Sequence, residues 1–261
     1  MNKGTFGRRQ FLVSSAVAAT ASVAGILNAK IHDGELGAPP RVYQGGMPWT
    51  EGAADEPPGV SDPDGPFRFF THAERVFIEA AVDRLIPHDD VGPGAIEAGV
   101  PIFIDRQLAG PFGRGDHYFL GGPWAKGTPE QGYQLRFSPA QLYRAAIASI
   151  NAYTHIGFDK QDFSQLQISD RERVLSDMES GKVELDGGVD ARTFFAMLLQ
   201  NTKEGYFSDP IYGGNKNMGG WRMIGFPGAH YDYREWVSRH GEPVPFEPVG
   251  FKGRPGWSSE T

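Results

Sequence analysis

The chain has 261 residues, of which 39% are hydrophobic, so it is long enough to bury the core of one domain. Its formal net charge of −7 makes nucleic acid a poor partner, because an acidic surface repels phosphodiester backbones. The sequence contains no cysteine, which excludes disulfides, thiolate nucleophiles, thioether-attached haem and iron–sulfur clusters held by cysteine.

The N-terminus carries the pattern of an export signal. An arginine pair precedes two apolar residues, and a mild hydrophobic run follows over residues 13–27. That run is rich in Ala, Ser and Thr and is shorter than the about 20 apolar residues of a membrane span. The pattern predicts a twin-arginine signal peptide over residues 1–29. Both cleavage and retention as an N-terminal anchor stay open, and a basic tail before a chance apolar run is the alternative. The residues that define the signal are Arg8, Arg9, Phe11 and Leu12.

Residues 30–66 form a segment rich in glycine and proline with too few apolar residues for a core of its own. Tyr43, Met47 and Trp49 favour an arm that lies along another surface over a solvated linker. The phrase DPDG at residues 62–65 resembles the start of a calcium loop, but it lacks the later ligands and is interpreted as a turn.

Apolar residues at helical spacing predict five helices in the rest of the chain. Thr71 and Glu74 form a capping box at the first, Ser138 and Pro139 start the third, and Ser169 with Glu172 suggests a capping box at the fourth. The predicted ranges are 71–87, 101–109, 139–158, 169–180 and 190–207.

Between the first two helices, His88, Asp89 and Asp90 suggest either a turn or part of a metal site. Adjacent residues cannot all face one ion without ligands from elsewhere in the chain. Turn chemistry is therefore the favoured interpretation, because aspartate readily bonds to the backbone near it.

The sequence shows no alternating strand and helix pattern and no run of strands. We therefore expect a mainly α fold, a single irregular helical domain with long Gly/Pro-rich loops and extended N- and C-terminal arms. The predicted organisation is a signal peptide at 1–29, an arm at 30–66, the helical domain at 67–228 and an aromatic tail at 229–261.

No familiar catalytic motif is present. There is no Gly-x-Ser-x-Gly elbow, the glycines at 92 and 94 do not complete a dinucleotide fingerprint, and GGNKN at 213–217 is not a phosphate loop. The histidines are scattered, so we expect no catalytic, cofactor-binding or metal-binding residue in this chain. Two alternatives stay open: a hydrolase that uses dispersed carboxylates, and a sugar-binding module that stacks sugar rings on Trp124, Trp221 and Trp236.

Three blocks of sequence resemble subunit 3, the small or gamma subunit, of gluconate 2-dehydrogenase. They are FFTHAE at 69–74, the stretch 83–110, and the stretch 203–236 that contains EGYFSDPIYGGNKN and WRMIGFPG. Together with the chain between them they span about two-thirds of the sequence, and the resemblance extends to the twin-arginine leader.

The resemblance implies a non-catalytic accessory subunit. In this family the small subunit binds a large FAD-containing flavoprotein of the glucose–methanol–choline type, and a membrane-bound multihaem cytochrome c receives the electrons. The leader would export the flavoprotein with its escort, which implies a periplasmic complex at the inner membrane. Related small subunits serve fructose, glucose and keto-gluconate dehydrogenases, so the sugar substrate stays open.

The stretch from Tyr206 to Trp221 is the predicted partner interface. Pro210 sets a turn after Asp209, paired glycines permit unusual backbone conformations, and the large aromatic rings supply area typical of interface anchors. Packing of the same rings into the core of their own chain is an equally weighted interpretation. The arm and the aromatic tail are expected to lie across the partner. The candidate interface residues are Tyr206, Phe207, Asp209, Pro210, Tyr212, Gly213, Gly214, Asn215 and Trp221.

Overall fold

Seven α-helices occur in the residues that the computed structural model describes, which are 66–251 except 119, 123, 126, 129, 130 and 231. The predicted signal peptide with its four defining residues, the arm up to residue 65, and residues 252–261 lie outside this range. The helices are α1 His72–Leu85, α2 Val100–Ala109, α3 Pro111–Arg114, α4 Pro139–Gly157, α5 Ile168–Glu179, α6 Ala191–Phe207 and α7 Gly219–Ile224.

Short 3-10 turns connect or follow these helices, and the described part of the chain contains no β-strand beyond two isolated bridges. The mainly α prediction is therefore confirmed. The turns are Phe163–Gln165, Asp186–Gly188, Pro210–Tyr212, Lys216–Met218 and Arg234–Trp236.

Side-chain caps start two helices where the sequence predicts them. The hydroxyl of Thr71 accepts a hydrogen bond from the Glu74 amide at 3.4 Å, and the Glu74 carboxylate accepts from the Thr71 amide at 2.8 Å. Ser138 and Gln141 form the same reciprocal pair at the start of α4, with Pro139 in the first turn. Both caps satisfy amides that have no partner within their helix.

Three local predictions differ from the structure. The capping box predicted at Ser169 is wrong, because α5 begins one residue earlier at Ile168 and Gln167 occupies the cap position without a side-chain bond. The helices α3 and α7 fall in stretches interpreted as loops. They have four and six residues, too few to show an apolar period, and close backbone packing holds them. A Cβ at Gly113 of α3, for example, would overlap the carbonyl oxygen of Leu108.

The core of the helical body is built around α6, which packs against α1, α2, α4, α5 and α7. Phe194 of α6 meets Tyr143 of α4 edge to face, with ring centroids 5.3 Å apart, and Phe77 of α1 packs on Phe163 at 4.8 Å. These side chains are almost fully buried, and aromatic pairs of this kind add to the stability gained from burial alone. No helix in the described range combines the length and hydrophobicity needed to cross a membrane.

A buried carboxylate holds the segment that enters the domain. Asp105 of α2 is 1% exposed, and its two oxygens accept hydrogen bonds from the amides of Arg68, Phe69 and Phe70 at 2.6 to 2.9 Å. These bonds place the chain just before α1 across α2. They also satisfy three backbone donors, of which the Phe70 amide is buried.

We expect Asp105→Ala to destabilise the protein by about 3 kcal/mol, because it leaves three amides without their acceptor. Chemical denaturation followed by circular dichroism measures the effect. Asp116→Ala is the matched control, since Asp116 is solvent-accessible and its ion pair with Arg114 lies at the surface, so its loss costs less than about 1 kcal/mol. Equal midpoints for the two variants would contradict the assigned role of Asp105.

Candidate functional site

The glycine loop, residues 208–228, follows α6 and folds back against its C-terminal end. Tyr206, in the last turn of α6, is 1% exposed, and its hydroxyl donates to the carbonyl of Pro93 at 2.7 Å. Trp221 of α7 is buried, and its indole nitrogen donates to the Phe207 carbonyl at 2.7 Å. Two of the aromatic residues predicted as interface anchors therefore belong to the core of their own chain.

Asn215 joins the two halves of the glycine loop. Its side chain is completely buried, its amide nitrogen donates to the Ser208 carbonyl at 2.8 Å, and its amide oxygen accepts from the Gly220 backbone at 2.9 Å. The backbone at Asn215 has φ 47°, the left-handed region that asparagine tolerates better than most residues. The residue thus combines a special backbone conformation with both hydrogen-bonding functions of its side chain.

Glycine is required where the loop backbone approaches α6 most closely. A Cβ at Gly214 would overlap the carbonyl oxygen of Gly205, and one at Gly220 would overlap the carbonyl oxygen of Tyr206. Gly213 has φ 94°, a conformation that other residues rarely adopt. The paired glycines therefore serve close packing within the chain and do not form a phosphate cradle.

Asp209 connects the glycine loop to the tail. One carboxylate oxygen accepts from the Ile211 amide at 3.0 Å, which starts the turn that Pro210 was predicted to set, and the other accepts from the Phe251 amide at 2.8 Å. The Val249 amide donates to the Pro227 carbonyl at 3.1 Å, which ties the tail to the end of the loop, and the Ala229 amide donates to the Val249 carbonyl at 2.6 Å. The described part of the tail thus contacts its own domain at Asp209 and Pro227, and its contact with a partner stays a prediction.

Four apolar side chains on or beside this scaffold remain exposed, and we call them the exposed rim. Their exposed fractions are 36% for Tyr212, 55% for Ile224, 45% for Phe226 and 71% for Phe251. Phe226 packs edge to face on the buried Trp221, with ring centroids 5.2 Å apart, and the backbones of Tyr212 and Phe251 are both bonded to Asp209. Of the four, only Tyr212 belongs to the interface predicted from the sequence. The positions of Ile224 and Phe226 depend on helix α7, and that of Phe251 depends on the return of the tail to Asp209.

Phe207 and Pro210, which are also predicted interface residues, are partly covered by their own chain. Phe207 is half-buried and meets Tyr206 edge to face at 5.0 Å, and Pro210 is half-buried in its turn. The candidate set runs from the end of α6 through the glycine loop to α7, and its role as a partner interface stays a prediction. Most of its members hold the loop in shape, and Tyr212 is the one with an exposed ring.

The acidic turn after α1 forms as predicted. A carboxylate oxygen of Asp89 accepts from the amides of Val91 and Gly92, while His88 bonds to the Glu97 carboxylate at 2.7 Å. The hydrogen bond from His88, and a second from the Gly94 amide, hold the pKa of Glu97 below its usual range. No group of three or more potential metal ligands was found among the described residues.

The three tryptophans of the sugar-stacking alternative have different surroundings. Trp124 is exposed, Trp236 is half-buried beneath the Arg239 guanidinium at 4.7 Å, and Trp221 is buried. A sugar ring cannot stack on Trp221, so a platform that needs all three rings does not form.

Comparison with known proteins identifies the family. A family model for gluconate 2-dehydrogenase subunit 3 matches residues 72–228, a range that begins with α1 and ends with the glycine loop. The chain belongs to the gluconate 2-dehydrogenase subunit 3 family, as its sequence blocks predict. Searches of curated proteins and of solved structures gave no significant match.

We expect Asn215→Ala to destabilise the protein by about 3 kcal/mol, because it removes two buried hydrogen bonds and leaves alanine in a left-handed conformation. Asn217→Ala is the matched control, since Asn217 has a similar φ of 56° but is exposed. It should show only the conformational cost, about 1 kcal/mol. Thermal and denaturant unfolding measure both variants, and equal losses would remove the proposed role of the buried amide.

Proposed function

We propose that this chain is the non-catalytic small subunit of a periplasmic, membrane-associated, FAD-dependent gluconate 2-dehydrogenase. In that complex D-gluconate is oxidised to 2-dehydro-D-gluconate, and the small subunit serves export, assembly and stability of the flavoprotein. The observation that carries the proposal is the family match over the whole helical body and the glycine loop.

The division of labour follows from this assignment. The large glucose–methanol–choline type subunit holds FAD and oxidises the substrate, and a multihaem cytochrome c carries the electrons to the membrane. The present chain has no cysteine with which to attach haem c, which agrees with an accessory role beside the cytochrome. The choice among gluconate, keto-gluconate, fructose and glucose then depends on the large subunit, and assay of the purified complex against each substrate distinguishes them.

The exposed rim is the proposed docking surface for the flavoprotein. Three of its side chains stand on the glycine loop, which internal hydrogen bonds and buried glycines fix in place, and the Phe251 amide is bonded to that loop at Asp209. Little conformational entropy is therefore lost when a partner binds. Large apolar side chains at the centre of an interface commonly dominate its binding energy. In this proposal Tyr206, Asn215 and Trp221 keep the shape of the loop, and the exposed rim makes the contacts.

The arginine pair at residues 8 and 9 supports the export role. The twin-arginine pathway carries folded proteins, so one leader on the small subunit suffices for a tightly bound passenger. This explains why an accessory chain with no cysteine carries a signal for folded export.

We expect the double change of Arg8 and Arg9 to lysine to reduce the amount of flavoprotein in the periplasm at least tenfold, because export depends on the arginine pair. Cell fractionation followed by detection of the large subunit measures this. Arg41→Lys, the same chemical change in the arm, is the control. Arrival of the flavoprotein in the periplasm at its normal level in the double variant would exclude the escort role.

We expect the double change Ile224→Ser and Phe226→Ser to weaken binding to the flavoprotein at least tenfold, because loss of central apolar contacts commonly costs 2 kcal/mol or more. Co-elution of the separately purified subunits measures the affinity. Ile156→Ser is the matched control, since Ile156 is a highly exposed apolar residue of α4. Circular dichroism checks that each variant is folded, and normal co-elution of the folded double variant would exclude this docking surface.

A further inference from the structure

A groove of about 390 Å³ lies along one face of α6, and its lining residues lie outside the glycine loop. One side of it is formed by α6 residues about one turn apart, including Arg192, Ala196, Gln200 and Glu204. The other side is formed by aromatic side chains from α3 and from the segment between α3 and α4. The volume falls within the range of small-molecule sites, and it is sufficient for one long side chain.

Three aromatic rings line the groove opposite α6. Phe112 and Tyr118 have ring centroids 6.3 Å apart, and Tyr118 meets Tyr133 edge to face at 5.1 Å. The Tyr133 hydroxyl donates to the Phe137 carbonyl at 2.7 Å, which fixes that ring. Burial raises the pKa of both tyrosines, so their rings are neutral in the physiological range.

The lining of the groove also contains the carboxylate of Glu204. Glu204 accepts hydrogen bonds from the side-chain amides of Gln200 at 2.8 Å and Asn201 at 3.0 Å, and the Tyr143 hydroxyl bonds to Asn201 in turn at 2.8 Å. The orientation of the carboxylate is therefore supported from the core. Burial is the larger cause of the raised pKa of Tyr118, and the charge of Glu204 raises that pKa further.

The charges along the groove are separated. Arg192 lies three turns before Glu204 on α6, about 18 Å away along the helix axis, and its guanidinium donates to the Glu179 carbonyl at 3.1 Å. Within the described part of the chain, Glu204 forms no ion pair. The groove thus holds an acidic side chain and three aromatic rings in one lining, with Arg192 at the far end of α6.

Elsewhere in the described structure, five half-buried aromatic rings lie beneath arginine guanidinium groups of the same chain. Arg75 lies over Phe67 at 4.6 Å and Arg144 over Phe69 at 4.4 Å, and three further pairs have the same arrangement. The three rings of the groove have no such arginine among the described residues. An aromatic wall beside a carboxylate is the chemistry that recognises an organic cation.

We propose that this groove binds an alkylammonium or guanidinium group, with the cation between Glu204 and the rings of Tyr118 and Tyr133. The source is a free amine or the Lys or Arg side chain of another polypeptide, and the proposal does not depend on the dehydrogenase assignment. A sugar acid is the wrong charge for this end of the groove, because Glu204 repels a carboxylate.

The methyl group of Met197, which lines the groove, reports on binding. The full chain is labelled with ¹³C at its methionine methyl groups and titrated with butylammonium, with butylguanidinium and with the neutral control 1-butanol. We expect a saturable shift of the Met197 signal with both cations at millimolar concentration, and at least fivefold weaker binding of 1-butanol. Three methionines outside the groove serve as internal controls: Met178, Met218 and Met223.

We expect Glu204→Gln to weaken cation binding about fivefold and Tyr118→Leu to weaken it by a similar factor. Glu242→Gln, at an exposed glutamate outside the groove, should change nothing. Raising the salt concentration should weaken binding in the unmodified protein, which tests the charge without any substitution. Absence of saturation, equal binding of 1-butanol, or salt-independent affinity would each overturn the proposal.

A blocked lysine and a blocked arginine, each acetylated and amidated on the backbone, distinguish the two sources. Binding at least as tight as that of butylammonium supports a polypeptide side chain as the ligand. Weaker binding of the blocked residues, with butylammonium still saturating, supports a free amine at the same cation site.

Discussion

The buried amide of Asn215 is the interaction on which the shape of the glycine loop depends. It bonds to Ser208 near the start of the loop and to Gly220 at the first turn of α7, so it closes a segment that has no regular ladder of its own. Because the group is fully buried, its two bonds are made without competition from water. The left-handed backbone at the same residue makes it hard to replace by any side chain that lacks an amide.

This closure separates the residues that give the loop its shape from those that face solvent. Tyr206 and Trp221 are buried, and the polar atom of each side chain donates a hydrogen bond to a backbone carbonyl. Ile224 is the last residue of α7, and Phe226 lies two residues further on. A partner that binds the exposed side chains meets a surface already in place, so the cost of ordering it has been met during folding. The helix α6 connects these features, because it lies in the core, leads into the glycine loop at its end and lines the groove that contains Glu204 along one face.

The sequence predicts the parts of the fold that depend on neighbours along the chain. Thr71 and Ser138 cap their helices because the bonding partners are three residues away, and the apolar period of α6 is visible over four turns. The helix α7 is not predictable in this way, since it depends on Gly220 lying against Tyr206 of another element. The capping box predicted at Ser169 does not form, because α5 begins at Ile168 and Ser169 lies inside the first turn of the helix.

The same distinction applies to the candidate sites. The stretch that identifies the family was predicted as an interface because it is rich in aromatic residues and glycines, and these are also the residues that close backbone packing requires. Composition alone cannot separate the two roles, because a large ring gains free energy from burial in either place. Exposure distinguishes the two groups, because Tyr206, Asn215 and Trp221 are buried, whereas Tyr212, Ile224, Phe226 and Phe251 are exposed to solvent. The groove that contains Glu204 could not be predicted from the sequence. Its aromatic rings lie far from Glu204 along the chain, and only the fold places them in the same lining.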